Sequence, residues 1–382
     1  KKLGARDRAF VAEAVFGVLR RYRYLSVVVP AANPRTLIIA WLIKSRGMSG
    51  ATLEQFARPE LIDHIRNAQT GDLSLAVAAE LPDWVLEKLQ QSMNDANILA
   101  LGRALQQPAP LDVRVNAHKA GRDAVLAQLQ AEGLTIEATP YSPWGIRFKE
   151  HPAINRHPLF LDGSLEVQDE GSQLLALLLG ARRGEMVCDF CAGAGGKTLA
   201  IGAMMASTGR LYAFDVAEKR LANLKPRLAR SGLSNVMPQL IASENDTRVK
   251  RLAGKLDRVL VDAPCTGTGT LRRNPDIKWR ELDLAALTAT QQRLLDAAAE
   301  LVKPGGRLVY ATCSVLREEN EAITADFLAR HADYTAVPVN AVLARRHIPL
   351  EMPGETLQLL PHKHHTDGFY AAVLQRAVAP SN

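Results

Sequence analysis

Two cysteines, Cys265 and Cys313, each follow an apolar run, and thiols so placed could act together on one bound molecule. The run Arg258-Val-Leu-Val-Asp262 breaks into Ala263-Pro264-Cys265-Thr266-Gly267, and Gly306–Tyr310 runs into Ala311-Thr312-Cys313-Ser314. Short apolar, β-branched runs read as buried strands of a parallel sheet, and such sheets take ligands in the crevice outside the carboxyl ends of their strands. Both thiols are therefore expected on one side. The competing reading is two small buried hydrophobes, because unpaired cysteine is often buried for packing alone.

A third strand end carries glycines. Met186–Phe190 runs into Cys191-Ala192-Gly193-Ala194-Gly195-Gly196-Lys197-Thr198, and a helix is expected from there to about Ala206. Glycines let a backbone turn sharply and approach a ligand, and a helix N-terminus behind them offers free N–H groups. The next strand ends at Asp215, 19 residues beyond Gly196, the spacing at which a doubly wound sheet presents a carboxylate to ribose hydroxyls. Three ligands compete for such a loop. A Walker A loop needs its first glycine at position 191, where Cys stands, and the dinucleotide fingerprint needs its third at 198, where Thr stands. S-adenosylmethionine has no pyrophosphate and needs only a turn that clears its amino-acid moiety and a carboxylate for its ribose. A methyltransferase is the reading these residues favour. A nucleoside triphosphatase stays open as its rival, because the strand ending in Asp262 also resembles a Walker B acid.

Two thiols beside a methyl donor point to a specific reaction. Carbon 5 of a pyrimidine is a weak nucleophile, but a thiolate added at carbon 6 makes it enamine-like, splitting one hard step into two. The proton on carbon 5 must then leave before the enzyme sulfur is expelled, so a second group has to assist. Asp262 would stabilise the adduct if it held a proton near ring nitrogen 3. Positive charge raises the reactive fraction of a thiol, and the donor's sulfonium, Lys197, Arg272 and Arg273 are candidates for it.

The elements that must position these groups follow from pattern. From Glu166 onward apolar runs alternate with helices, the mark of a largely parallel sheet covered on both faces. Strands are expected at Met186–Phe190, Arg210–Asp215, Arg258–Asp262 and Gly306–Thr312, with Tyr370–Gln375 as an antiparallel edge. Residues 1–105 read as helical: Val11, Val15, Val18, Leu19 and Tyr22 form one stripe at helical spacing, and Pro82–Leu101 reads as a helical pair. Leu111–Asn116, a helix over Gly121–Glu132 closed by Gly133, and a strand near Leu134–Thr139 read as a small β-α-β unit.

Charge and length add further limits. The chain has 382 residues, a formal charge of +7 and four cysteines, too few for a disulfide framework in so long a chain. Two or three domains are expected from the length. Residues 1–50 hold ten Lys/Arg against Asp7 and Glu13, a net +8, so the other 332 residues sum to −1. A cationic end on a near-neutral body fits contact with a polyanion such as nucleic acid; the alternative is a solvated helix face. No apolar run approaches the ~18 residues of a membrane span, and no signal-peptide pattern appears, so a cytoplasmic protein is expected. Cys188 and Cys191 make a C-x-x-C without two further ligands at matching spacing, and His362-Lys-His364-His365 with Asp367 lies in a polar segment, so no metal is expected. Arg272–Trp279 mixes basic and aromatic groups beside the thiols and suits a phosphate-positioning, base-stacking loop; a structural turn around Pro275 is the alternative.

Taken as a set, Asp189-Phe-Cys-Ala-Gly-Ala-Gly-Gly-Lys-Thr198, Asp262-Ala-Pro-Cys-Thr-Gly267, Arg272-Arg-Asn-Pro-Asp-Ile-Lys-Trp279 and Ala311-Thr-Cys-Ser314 resemble the Sun/Fmu (RsmB-like) family of RNA cytosine-5 methyltransferases. Gln168-Asp-Glu-Gly-Ser-Gln173 and Thr366-Asp-Gly-Phe369 extend the likeness over most of the chain, Arg6–Arg20 resembles the family's NusB-like helical domain, and residues 108–165 its RRM-like insert. The resemblance implies a Rossmann-like class I methyltransferase sheet, preceded by an all-α NusB-like domain and a small α+β RRM-like insert, divided at 1–105, 106–165 and 166–378. It implies Cys313 as nucleophile and Cys265 as the group that assists release. It also sets Cys191, Ala192, Gly193, Ala194, Gly195, Gly196, Lys197, Asp215, Asp246 and Asp262 around S-adenosylmethionine, with Glu244 as an alternative to Asp246 at the adenine. The expected partner is RNA, small-subunit ribosomal RNA first and transfer RNA second, with the protein acting as a monomer. RNA binding without catalysis is the reading from a different class. The chain departs from the family at the glycine loop, where Ala192-Gly-Ala-Gly-Gly196 replaces the usual Ala-Ala-Pro-Gly-Gly; the lost proline is expected to loosen the turn.

Overall fold

Among the described residues, those before Ala109 form helices as their only regular structure. The computed structural model describes residues 4–378, which divide into two units: the described residues up to Ala109 together with Thr268–Leu282, and Pro110–Gly267 together with the residues from Asp283 onward. Lys1 and Lys2 of the basic segment lie outside the described residues. In the first unit, helices Ala5–Arg20, Tyr22–Val28, Pro34–Lys44 and Pro59–Asn67 enclose a core that includes Leu25, Val28, Leu37, Trp41, Leu53, Ile62 and Ile65. Asn33 starts Pro34–Lys44 by accepting from the N–H groups of Arg35 and Thr36, with proline at the first helical position. Of the expected stripe, Val18 and Tyr22 pack against this core, but Val11 and Val15 stay about half exposed, at 49% and 48%, while Ala14 is buried. Trp41 decides this. It lies so close to Gly17 that a Cβ there would stand 2.1 Å from its indole nitrogen, so the helix turns its small residues inward. Part of the basic excess is also neutralised internally, through Arg23–Asp83 at 2.7 Å and Arg46–Glu13 at 2.8 Å. The expected helical pair is present as Asp83–Leu89 and Asp95–Gln106.

The second unit opens with a four-stranded antiparallel sheet of β1 (Leu111–Val115), β2 (Ile136–Ala138), β3 (Gly145–Phe148) and β4 (Leu165–Val167), in the order β2-β3-β1-β4. Helix Arg122–Ala131 links β1 to β2, as expected, but β3 inserts between those two strands, so they are not neighbours. Val113, Val115, Val125, Leu129, Ile146, Phe148 and Leu165 form its core.

The large sheet comprises β5 (Met186–Asp189), β6 (Arg210–Asp215), β7 (Val236–Leu240), β8 (Leu256–Asp262), β9 (Val302–Thr312), β10 (Tyr334–Val337), β11 (Leu357–Leu359) and β12 (Phe369–Arg376). Its order is β10-β12-β9-β8-β5-β6-β7, with β11 also on β12. Strands β5 to β9 are parallel, and β12 is antiparallel to β9. Contrary to expectation β12 is not an edge. It is flanked by β9 and by β10 and β11, which is why Phe369–Leu374 is apolar throughout and buried. Side chains alternate across the sheet, Leu260 and Val309 joining one core, and Val259, Val261, Leu308 and Tyr310 the other. Strand β5 lies between β6 and β8, so the chain reverses its direction of travel across the sheet there, the switch point at which open α/β sheets bind ligands. Among the described residues no helix is long and apolar enough to cross a membrane.

Candidate active site

Every group singled out at a strand end lies in the second unit, on the carboxyl side of its sheet. The glycine loop leaves β5 and enters helix Gly196–Met204. Gly193 and Gly195 have φ of +56° and +83°, a left-handed backbone that glycine adopts without strain. Three tethers replace the stiffness of the missing proline. Asp215 Oδ2 accepts the Gly193 N–H at 2.8 Å, Gly195 N–H donates to the Ala192 carbonyl at 2.9 Å, and Arg227 donates to the Ala194 carbonyl at 2.7 Å. Arg227 is held in turn by Glu166, which also takes Arg230. These bonds brace the turn where proline is absent. Asp215 Oδ1 accepts from Ala217 N–H, so this carboxylate sits at the end of β6 with its orientation set by backbone.

Cys265 Sγ and Cys313 Sγ lie 3.3 Å apart. Their loops leave adjacent parallel strands at one level, since Asp262 and Ala311 are register partners. Hydrogen bonding to Cys313, followed by burial and the negative Glu319, pushes the Cys265 thiol well above its ordinary pKa, so it keeps its proton. A buried polar hub holds both loops. Glu319 is fully buried, and its carboxylate accepts Thr266 N–H at 2.8 Å, Thr266 O–H at 2.6 Å and the Gln291 amide at 2.9 Å. Gln291 also donates to the Pro264 carbonyl. Next to it, the Asn320 amide donates to the Ser314 carbonyl at 3.0 Å, and Asn320 Oδ1 accepts from Thr312 O–H at 2.5 Å. The sequence reading missed Glu319 and Asn320. Their local signal, a position six and seven residues beyond Cys313, does not reveal the contacts of Glu319 with Thr266 and Gln291.

Lys197 Nζ meets Asp262 Oδ2 at 2.7 Å and lies 5.9 Å from the Phe369 ring centre. Burial works against its ammonium, but Asp262, with Cys313 and Asp189 beyond it, lifts the pKa above that of an ordinary lysine. Asp189, which ends β5 and opens the glycine-loop motif, is the most perturbed carboxyl of this site. Burial raises its pKa to about 7; the Thr198 hydroxyl, at 2.7 Å, opposes this and Asp262 adds to it. Its other oxygen, Oδ1, is buried without a partner. These pairings also weigh against the triphosphatase: Lys197 and Thr198, which would serve phosphates and magnesium, are committed to Asp262 and Asp189.

Other expected groups are arranged differently. Asp246 caps the turn Thr247–Lys250, its two oxygens accepting Ala242 N–H and Arg248 N–H, each at 2.9 Å, and these bonds lower its pKa. Glu244 pairs with Arg293 at 3.3 Å. Burial, with Asp189, Asp262 and Asp215 nearby, pushes the Cys191 thiol well up, so it is a neutral group of the loop wall; Cys188 is a buried strand residue. The segment Arg272–Trp279 belongs to the helical unit. There Arg272 is buried and its carbonyl accepts from Arg20, Lys278 Nζ donates to the Arg20 carbonyl at 3.0 Å, and Trp279 packs edge-on against Tyr22. Of the motif pairs, Gln168–Gln173 and Thr366–Phe369 meet: Asp169 accepts Asp367 N–H at 3.1 Å, and a Cβ on Gly171 would stand 2.5 Å from the Phe369 ring.

Comparison with known proteins gives a consistent set of likenesses. The family model described as 16S rRNA methyltransferase RsmB/F matches residues 176–375, and one described as the RsmF/B-like ferredoxin-like domain matches residues 81–155. The chain is 33% identical to the "Probable ribosomal RNA small subunit methyltransferase B" of Synechocystis sp., across 97% of this chain and 92% of that protein. It is 36% identical to the ribosomal RNA small subunit methyltransferase B of Erwinia tasmaniensis, across 86% of this chain and 73% of that one. Among solved structures it is similar to a methyltransferase homolog protein from Pyrococcus horikoshii, with a TM-score of 0.64, 28% identity, and coverage of 78% of this chain and 100% of the other.

Proposed function

This chain belongs to the RsmB/F family of 16S rRNA methyltransferases, and on that premise we propose that it methylates carbon 5 of a cytosine in small-subunit ribosomal RNA through a covalent bond from Cys313 to carbon 6. The observation that carries the reading is the 3.3 Å approach of two thiols at the ends of adjacent strands, in the same unit and on the same sheet edge as the glycine loop. That loop fits S-adenosylmethionine: Gly193 has open space where a side chain would stand, Asp215 closes β6, and Asp189 Oδ1 is a buried acceptor without a donor. Residues 191–197 would cradle the donor, Asp215 would take its ribose hydroxyls and Asp189 its ammonium. Asp246, its oxygens engaged by its own turn, would shape the adenine side. The bound donor supplies an electrophilic methyl group.

The residues of the chain do the rest. Cys313, as thiolate, bonds to carbon 6 of a base drawn out of its stack, with the Lys197 charge in electrostatic reach. The Lys197–Asp262 pair lends a proton to ring nitrogen 3 and recovers it once carbon 5 carries the methyl group. With the Cys313 sulfur bonded to carbon 6, the hydrogen bond and charge from Cys313 that held the Cys265 proton are gone; Cys265 releases that proton to solvent, then removes the proton from carbon 5 as the carbon–sulfur bond breaks and Cys313 departs as thiolate. One proton leaves per turnover. Residues 1–105 and 106–165 would hold the RNA and 166–378 would carry the chemistry, with the protein acting as a monomer in the cytoplasm, where unpaired cysteines stay reduced.

Denaturing gel electrophoresis of wild type, Cys265→Ala, Cys313→Ala and the double variant, each with labelled bacterial RNA and S-adenosylmethionine, tests this. A covalent RNA–protein band is expected to accumulate in Cys265→Ala and to vanish when Cys313 is also replaced. Donor binding with no trapped RNA in any variant would remove the cytosine carbon-5 chemistry.

A further inference from the structure

At the opposite end of the same strands the second unit carries a concentration of positive charge that methyl transfer does not use. Arg258 and Arg307 are register partners on β8 and β9, an arrangement that sets like charges side by side and is ordinarily unfavourable. With Arg182, Arg345, Arg346 and Trp144 they line a pocket of about 440 Å³, within the ~300–1,000 Å³ range of ligand sites. The guanidinium groups are crowded: a Cβ built on Gly180 would stand 3.0, 3.3 and 3.5 Å from nitrogens of Arg307, Arg258 and Arg346. Glu185, paired with Arg258 at 2.6 Å, is the one carboxylate that ion-pairs with any of the five among the described residues. Arg258 and Arg307 also donate to the carbonyls of Leu179 and Leu178, at the negative end of helix Glu170–Leu179. That gives these two a structural use, while the Arg346 side chain makes one weak bond, to Met204 Sδ at 3.8 Å, and those of Arg182 and Arg345 are held by no carboxylate among the described residues. Arg307 Nε is buried with no partner. Burial, then Arg258, Arg346, Arg345 and Arg182, push the Arg307 pKa down to about 10.

Five guanidiniums against one carboxylate, with an orphan N–H and an aromatic wall, call for an anionic ligand carrying a flat ring. We infer that this pocket binds a phosphodiester group of the RNA substrate, with one nucleotide base against Trp144, as an anchor remote from the thiols. Arg258 is four residues before Asp262 on β8, which at ~3.3 Å per residue sets the anchor roughly 13 Å along the strand from the active edge. Arginine forks match phosphate oxygens in pairs, and phosphate contacts fix register without reading sequence. The inference rests on the proposed RNA substrate.

The test compares wild type with Arg182→Gln/Arg345→Gln/Arg346→Gln, measuring binding of deproteinised 16S rRNA across salt concentrations, methyl transfer to it, and S-adenosylmethionine binding. The expected result is about tenfold weaker RNA binding at moderate salt and a slope of log affinity against log salt lower by about 2, with donor binding and the rate at saturating RNA unchanged. If the triple variant unfolds, Arg182→Gln/Arg345→Gln, both at exposed positions, is expected to lower the slope by about 1. Unchanged RNA affinity and slope would overturn the anchor. A thermal shift by inorganic phosphate that the variant loses, with RNA binding intact, would likewise overturn it and assign the pocket to free phosphate. Wild type that binds RNA but transfers no methyl group would overturn the proposed function, while the salt slopes would still judge the pocket.

Discussion

Cys265 and Cys313, 48 residues apart in sequence, bring their sulfur atoms within 3.3 Å. The cause is topological: β8 and β9 are parallel neighbours that end level, so the loops that follow them must meet. A gap of 3.3 Å is close to the ~2.0 Å of a disulfide, and side-chain rotation would close it. We expect an added thiol oxidant such as diamide to join the pair, lowering methyl transfer about tenfold or more and removing two titratable thiols, with both changes reversed by dithiothreitol. Cys265→Ala should lose no such pair of thiols. Mass spectrometry of non-reduced peptides checks it, and a Cys188–Cys191 link instead would show that the observed geometry does not govern the oxidation.

Glu319 is expected to matter as much as a residue that touches RNA, because it holds the Cys265 loop by two bonds to Thr266 and by Gln291. Glu319→Ala would remove the acceptor of three buried hydrogen bonds, a loss of roughly 3 kcal/mol. Glu319→Gln, which turns one acceptor into a donor among donors, should fold and yet lower methyl transfer about 10²-fold by shifting Cys265. Calorimetry should find S-adenosylmethionine binding unchanged in Glu319→Gln, since Glu319 lies outside the glycine loop. Wild-type turnover in this variant would show that the hub has no positioning role.

How much of this was legible before folding depended on the range of each interaction. The strand ends were readable because Asp215, Asp262, Cys265 and Cys313 follow apolar runs directly, and a parallel sheet turns that local fact into a shared edge. Strand β12 was recognised by composition but misassigned to an edge, since its neighbours β10 and β11 are short and weakly apolar. The Val11–Val15 stripe failed because Trp41, on another helix, selects the face with Ala14 and Gly17. Asp246 could be named as a carboxylate near the adenine side, but that its oxygens are taken up by its own turn appears only with backbone geometry. Glu319 and the arginines around Gly180 were invisible for one reason: each gains meaning from partners dozens of residues away.

Asp189 makes a pH-dependent prediction. Its carboxyl titrates near 7 in the folded protein, against 3.8 ordinarily, so between those values the native state holds a proton that the unfolded chain has released. Stability of the donor-free protein should therefore fall as pH rises from about 4 to about 7, by up to about 4 kcal/mol from this group, and level off above. Donor affinity should run the other way, rising through pH 7 as the ionised carboxylate gains a cationic partner, against the repulsion of Asp262 and Asp215 and with the help of Lys197. Asp189→Asn should flatten both profiles. Thermal unfolding and calorimetry from pH 5 to 9 measure them, and an unchanged stability profile in Asp189→Asn would exclude Asp189 as the titrating group.

The glycine loop can be tested by a single methyl group. At Gly195 the backbone has φ of +83°, and a Cβ would stand 2.0 Å from Leu224 Cδ1, whose side chain is fully buried. Gly195→Ala therefore combines left-handed strain of ~1–2 kcal/mol with overpacking of ~1–3 kcal/mol. The strain belongs to the loop itself and the overpacking to its neighbour, so the two separate in a double-mutant cycle. Leu224→Ala opens the space and should recover the overpacking part, leaving the strain. Because the strained residue begins helix Gly196–Met204, donor affinity should drop in Gly195→Ala and recover only partly in the double variant. Full recovery of donor affinity in the double variant would mean that crowding alone, and not backbone conformation, makes glycine necessary at this turn.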